Sequence, residues 1–316
     1  MLDDAAYEKL DAALLDTFAR VDEMDPLREG VIRLSDRSTL GFAEYGAPDG
    51  FPIIYCHGFP GSRIEAALAH AAARQIGARV LAFDRPGYGL SDIRNRSITD
   101  WAEDVDYAAD KLGLGRFAVV GISGGCPYAL ACAHLLPHRV SAVGVVCGLG
   151  PFDTPEMRFA LKGLGRAAAN IGWHIPRIFA PLYGRCVTFA SRRRPGHTFD
   201  LLTLTSCEPD RQLMQRPDVS GIVAASMHEA LRCGAACIIQ DVHNLVRPWG
   251  FALEKIAARV HLWHGEEDTT VPAAMGRHMA QRLPNCDARF VEGEGHFSLP
   301  VNHARDILQT LLMASA

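Results

Sequence analysis

A chain of 316 residues, 48% hydrophobic and 22% charged, is long enough to bury a full core and still carry a sizeable insertion. Its net charge of −4 gives no footing for nucleic acid, and its longest apolar run is far too short to span a bilayer. Nine cysteines at irregular spacing do not make a disulfide framework, and the acidic start Met1-Leu2-Asp3-Asp4 lacks the order of a secretory signal, so a reduced, cytoplasmic setting is expected.

Residues 3–21 space Leu10, Leu14, Leu15 and Phe18 as one helical face, which predicts an amphipathic helix within residues 1–25. Residues 29–34 and 39–45 alternate about Ser35-Asp36-Arg37-Ser38 and read as a hairpin. The short apolar run 52–56 is what a strand buried on both faces requires, and it leads into His57-Gly58-Phe59-Pro60-Gly61. An alanine-rich helix over 64–76 and a strand over 80–83 follow, then the turn-rich loop Asp84-Arg85-Pro86-Gly87-Tyr88-Gly89. A helix over 98–112 begins with capping signals at Thr99-Asp100 and keeps Trp101, Val105, Ala108, Ala109 and Leu112 on one face. A strand over 117–121, a helix to 136 and a strand over 140–146 complete this half. The alternation predicts an α/β fold with a mostly parallel, doubly wound sheet.

After Gly150 the rhythm breaks. Residues 151–248 contain helix-like pieces separated by Pro and Gly, with apolar content such as Phe159, Leu161, Leu164, Trp173, Ile178 and Leu182. A segment of this kind between two strands of a parallel sheet predicts an inserted helical cap, with 26–150 and 249–316 forming the core. Within it, Arg192-Arg193-Arg194 reads as a solvated turn. The sheet resumes over 260–263, followed by a helix over 273–283, a strand over 288–291 and a last helix over 303–313.

Gly121-Ile122-Ser123-Gly124-Gly125 joins the strand at 117–121 to the next helix. A serine on so sharp a turn has its hydroxyl pushed out over the sheet edge, and glycines flank it where side chains would collide. Ser123 is the candidate nucleophile. A serine hydroxyl needs a base, and the base needs an orienting carboxylate. Asp268 and His296 follow it in chain order, each in a loop after a strand, the edge where parallel sheets build their sites. Glu266, Glu267 and Asp153 are the competing acids. The backbone N–H of Gly124, at a helix start, and of Phe59, in the loop after the first buried strand, are the candidate oxyanion donors. His57 and His264 sit in strand-end loops and are expected to shape the site by hydrogen bonds. Cys126 is read as a small packing residue. Cys233 and Cys237, with His228 and His243 nearby, do not follow a recognised zinc spacing, and no glycine-rich phosphate loop is present, so no metal or cofactor is expected.

The set formed by His57–Gly61, Asp84–Gly89, Gly121–Gly125, Asp268 before Val271-Pro272, and Gly295-His296 resembles the α/β-hydrolase superfamily, over about 30–150 and from 249 onward. Within it the chain is most similar to the capped group of esterases, carbon–carbon bond hydrolases, epoxide hydrolases and proline iminopeptidases. The resemblance implies Ser123 as nucleophile, His296 as base, Asp268 as orienter and Phe59 and Gly124 as oxyanion donors, acting on a small-molecule ester. Epoxide hydrolases carry an aspartate at the elbow, where this chain has Ser123. Proline iminopeptidases carry a tryptophan after the nucleophile, where this chain has Gly124. The alternatives are an aminopeptidase or amidase that holds a substrate ammonium on Asp200, Glu208 or Glu229, a carbon–carbon bond hydrolase, and a small-molecule receptor with a retained triad.

Overall fold

The apolar runs of the sequence become the middle of one eight-stranded sheet, of order β1-β2-β4-β3-β5-β6-β7-β8. The computed structural model describes residues 25–161, 163–193 and 206–315; the expected N-terminal helix, Arg194 and Asp200 lie outside the described residues. The hairpin pairs β1 (Arg28–Arg33) with β2 (Thr39–Gly46), and β2 pairs antiparallel with β4 (Ala78–Phe83). Its turn closes with the Leu34 N–H on the Ser38 carbonyl at 2.9 Å. From β4 onward every neighbour is parallel: β3 (Phe51–Cys56), β5 (Phe117–Ile122), β6 (Val140–Val146), β7 (Val260–Gly265) and β8 (Cys286–Val291).

Because side chains alternate along a strand, each apolar run feeds two cores. Ile54, Phe83, Val119 and Val143 face the helices Ile98–Lys111 and Cys126–Leu135, where Trp101, Val105 and Leu130 are fully buried. Ile53, Val80, Val120 and Val146 face the opposite way, toward Ala66, Ala73, Leu308 and Leu311. Each such aliphatic side chain contributes about 1.5–3 kcal/mol of burial, which is why uninterrupted apolar runs are needed here. Ser97 opens the Ile98–Lys111 helix with a reciprocal cap, its Oγ accepting from the Asp100 N–H at 3.1 Å while the Asp100 carboxylate accepts from the Ser97 N–H at 2.9 Å.

Two helices differ from expectation. The run 64–76 divides into a tight turn, Arg63–Ala69, and a helix, His70–Ile76. Its leading N–H groups are tied elsewhere, Ser62 to the Ser226 hydroxyl at 2.9 Å and Arg63 to the Asp84 carboxylate at 2.7 Å. The last helix gains an earlier turn, Ser298–Asn302, before Ala304–Ser315. That turn is held by a carboxylate from a distant part of the chain, described below.

Between β6 and β7 the described residues are helical: Pro155–Ala160, Gly163–His174, Pro176–Arg193, Glu208–Leu213, Pro217–Ala230 and Ala236–Leu245. The insertion is tied to the sheet by buried charge. Arg63 bonds Asp84 and the insertion's Glu229, each at 2.8 Å, and Arg85 bonds Asp241 at 2.7 Å. No described helix is long and apolar enough to cross a membrane.

Candidate active site

Ser123 follows the last residue of β5 and has φ +53°, a left-handed conformation that an L side chain adopts only under constraint. The constraint is the close passage of the chain around it. A Cβ at Gly121 would lie 2.6 Å from the Cys126 Cα, and one at Gly125 would lie 2.1 Å from the Cys56 carbonyl oxygen. Only glycine fits at either place.

Loops after β7 and β8 bring the other two candidates to this hydroxyl. His296 Nε2 lies 3.0 Å from Ser123 Oγ, and His296 Nδ1 lies 2.8 Å from Asp268 Oδ2. Asp268 accepts only, so Nδ1 carries the proton and the Nε2 lone pair faces the serine hydroxyl. The other oxygen, Asp268 Oδ1, accepts the N–H groups of Thr270 at 2.9 Å and Val271 at 2.7 Å. His264 supports the same loop, donating from Nε2 to the Val271 carbonyl at 2.7 Å and lying 3.5 Å from Asp268 Oδ2. Burial works to raise the Asp268 carboxyl, but His296 and His264 outweigh it and hold it well below the usual carboxylate range. Burial works against an imidazolium at His296, yet Asp268, with Asp210 and Glu65, holds its pKa above the ordinary histidine value. Two of the competing acids point elsewhere: Glu266 pairs with Arg277, and Asp153 with Arg282.

The two candidate oxyanion donors meet across the elbow. A Cβ at Gly124 would lie 2.6 Å from Phe59 Cβ and 3.4 Å from Phe59 N, so the two backbones are as close as a glycine allows. The loop carrying Phe59 is held from both sides. Arg85 donates to the carbonyls of His57 at 2.5 Å and Gly58 at 2.9 Å, and the Gly58 N–H donates to Glu65 at 2.9 Å. His57 is fully buried, its Nδ1 on the Gly58 carbonyl at 2.9 Å and its Nε2 accepting the Arg85 N–H at 3.3 Å. Burial and the Arg85 charge push its pKa well below the ordinary value, so it is a neutral bracket for the loop.

Three carboxylates here had no local signal in the sequence. Asp210, from the insertion, is fully buried and accepts three successive N–H groups, of His296 at 2.9 Å and of Phe297 and Ser298 at 2.8 Å each. This holds the extra turn at Ser298 and the peptide that carries the imidazole. Glu65 also accepts the Tyr55 hydroxyl at 3.0 Å, and burial raises its pKa despite these donors. The glycines at 58 and 61 make room for it, since a Cβ at Gly61 would lie 2.6 Å from Glu65 Oε2. Asp241 gathers Arg85, Tyr88 at 2.9 Å and Tyr128 at 2.5 Å, all buried.

Ser123 and His296 open onto a cavity of about 140 Å3 lined from three directions: Tyr55, Glu65 and Val120 from the sheet side, Met214 and Val223 from the insertion, and Leu308 from the last helix. A cavity of about 150 Å3 holds a benzene-sized group. The apolar residues expected to make the cap apolar are not its lining: Leu161 and Trp173 belong to a separate apolar cluster under the insertion, and Phe159, Ile178 and Leu182 are exposed. Of the acids considered for an ammonium, Glu208 pairs with Arg211 and Glu229 with Arg63, and neither lines the cavity. Cys126 donates its thiol to the Gly121 carbonyl at 2.9 Å, a packing role, and Cys237 donates to the carbonyls of Ala230 and Gly234. Among the described residues, Cys147, Asp268 and His296 alone bring three metal-ligating atoms within 4.8 Å, and two of those side chains are already bonded to each other.

A family model described as alpha/beta hydrolase fold matches residues 52–302. A proline iminopeptidase of Xanthomonas citri is 32% identical over 117 residues, 35% of this chain and 36% of that protein. A bifunctional epoxide hydrolase 2 of Sus scrofa is 24% identical over 296 residues, 86% of this chain and 52% of that one. The chain thus spans between about a third and about half the length of these curated relatives. Among solved structures, a thermophilic esterase from Thermogutta terrifontis superimposes with a TM-score of 0.67 at 19% identity, covering 92% of this chain and 100% of the other.

Proposed function

The chain belongs to the alpha/beta hydrolase fold family, and from that premise we propose that it is a serine hydrolase cleaving a small or medium, partly hydrophobic ester through an acyl-enzyme. The observation that carries the reading is the hydrogen-bonded series Ser123 Oγ, His296 Nε2, His296 Nδ1 and Asp268 Oδ2, at 3.0 and 2.8 Å.

In this mechanism His296 takes the Ser123 proton as Oγ attacks the ester carbonyl carbon. The carbonyl oxygen becomes an oxyanion facing the N–H groups of Phe59 and Gly124, and Asp268 stabilises the imidazolium. The tetrahedral species collapses, the C–O bond to the alcohol breaks, and His296 gives the leaving oxygen its proton. Water then attacks the acyl carbon as the same imidazole takes its proton; the bond to Ser123 Oγ breaks, the imidazolium returns the proton to Oγ, and the acid leaves. Asp210 acts as a positioning residue for His296, and Glu65 and Arg85 act in the same way for the Phe59 loop. Residues 26–150 and 249–316 form the core and 151–248 the cap, in a reduced, cytoplasmic setting that suits nine cysteines held as free thiols. Ser123 argues against epoxide opening through an alkyl ester, which requires a carboxylate at the elbow.

Labelling with a fluorophosphonate tests the reading. Wild type labels and Ser123→Ala does not; equal labelling sinks the nucleophile assignment. A peptidase reading keeps one specific support, the Glu65 carboxyl in the cavity lining, which could hold a substrate ammonium. Comparing p-nitrophenyl esters with a prolyl anilide separates the two, with ester cleavage expected to dominate.

A further inference from the structure

The Pro176–Arg193 helix is apolar on two sides. On one, Ala180, Tyr183 and Val187 share a cluster with Ile238 and Val242 of the Ala236–Leu245 helix. The chains approach so closely that a Cβ at Gly184 would lie 2.7 Å from the Ile239 side chain. The other side presents Ile178 and Leu182, 68% and 63% exposed, and the residues before it add Ile171 and Ile175, also exposed. Ile178, Leu182 and Arg185 follow the repeat of one face of the Pro176–Arg193 helix, while Ile171 lies in the last turn of the Gly163–His174 helix and Ile175 between the two. A helix that has already buried one apolar face gains nothing in water from a second.

The charge around this stripe has one sign. Between Met157 and Phe199 the sequence has eight Lys or Arg and no Asp or Glu, whereas elsewhere 24 basic residues accompany all 36 acidic ones. Arg166, Arg177 and Arg185 are exposed on the same two helices. Apolar side chains interleaved with cations, on a protein that is otherwise acidic, match a surface that is apolar inside and anionic outside. Self-pairing of this face would oppose like charges.

We propose that the exposed face of the Gly163–His174 and Pro176–Arg193 helices docks on an anionic lipid surface. Ile171, Ile175, Ile178 and Leu182 enter the acyl boundary, while the arginines lay their stems along it and keep their guanidinium groups among the headgroups. The docking does not depend on the reading of Ser123, because it is measured as lipid binding.

Co-sedimentation of the full chain with phosphatidylcholine vesicles, with and without phosphatidylserine, tests it. Partition into the anionic vesicles is expected to exceed that into the neutral ones by about tenfold or more and to fall by a similar factor at high salt. Two variants, Ile178→Asp/Leu182→Asp and Arg177→Glu/Arg185→Glu, each lower it about tenfold, with melting curves like wild type because the positions are exposed. Absent binding, equal binding to both vesicles, or unchanged binding by either variant overturns the proposal. So does a concentration-dependent dimer that Ile178→Asp/Leu182→Asp dissociates in a protein that does not bind vesicles, which assigns the face to a second copy.

Discussion

Asp210 accepts the backbone N–H of His296 at 2.9 Å across 86 residues of chain, so the insertion grips the peptide that carries the imidazole. A helical segment between two strands is usually thought of as a cover. Here it also sets the position and the charge environment of the His296 imidazole.

Replacing Asp210 by Asn puts an amide N–H against backbone donors and leaves buried N–H groups without a good acceptor, a cost of about 1–3 kcal/mol that lowers kcat about ten- to hundredfold. The pH profile separates this from general loosening. In the proposed mechanism His296 must be neutral to act, and Asp268, Asp210 and Glu65 all raise its pKa against the opposing effect of burial. Asp210→Asn removes one of these negative charges, so the acid limb of kcat/KM moves to lower pH. An unmoved limb limits Asp210 to packing.

At the elbow, Ser123→Ala is expected to lower turnover by about 10⁴-fold or more, whereas Ser123→Gly also relieves a residue held at φ +53°. A left-handed L residue costs about 1–2 kcal/mol, partly offset by the larger unfolded-state entropy of glycine. Ser123→Gly is therefore more stable than Ser123→Ala in urea by up to about 1 kcal/mol. The reverse order counts against strain at this position.

A methyl group added at Gly124 would meet Phe59 Cβ at 2.6 Å and push the Phe59 loop away. If Phe59 and Gly124 are the oxyanion donors proposed above, Gly124→Ala is expected to lower kcat about 10²–10³-fold, the cost of one such donor, with little change in KM. Steady-state kinetics on one p-nitrophenyl ester distinguishes this from a binding defect, which raises KM instead.

Asp241 is the buried partner of Arg85, Tyr88 and Tyr128. Asp241→Ala leaves a guanidinium buried without its carboxylate, so unfolding in urea is expected to show a loss of about 3–5 kcal/mol. Arg85→Met/Asp241→Leu, which removes both charges, recovers much of that loss. Failure of the pair to recover stability means that the hydrogen bonds lost by Tyr88, Tyr128 and the carbonyls of His57 and Gly58, rather than the charge, dominate.

Ser123, Asp268 and His296 were legible because each sits in a short motif at the end of a strand, and strand ends of a parallel sheet converge on one edge. The same local logic predicted the hairpin, every strand of the sheet and hydrogen bonding by His57 within its strand-end loop. Asp210 and Asp241 were not legible, because what makes each matter is a partner far away in the chain, and Glu65 was not, because its partners at Gly58 and Tyr55, though near in the chain, meet it only once the loop between them is folded. Asp210 answers donors at 296–298, and Asp241 answers Arg85 across 156 residues.

The last helix has a practical consequence. Ala304, Ile307 and Leu308 reach the cavity beside Ser123, yet they belong to a segment that makes none of the hydrogen bonds of Asp210, Asp241 or Glu65 described above. If the proposed ester chemistry holds, the fit of a substrate in this cavity is open to redesign from the carboxyl-terminal helix alone. Trimming Ile307 and Leu308 lengthens the slot, and filling Ala304 shortens it, with the base, its carboxylate and the grip on the insertion left as they are.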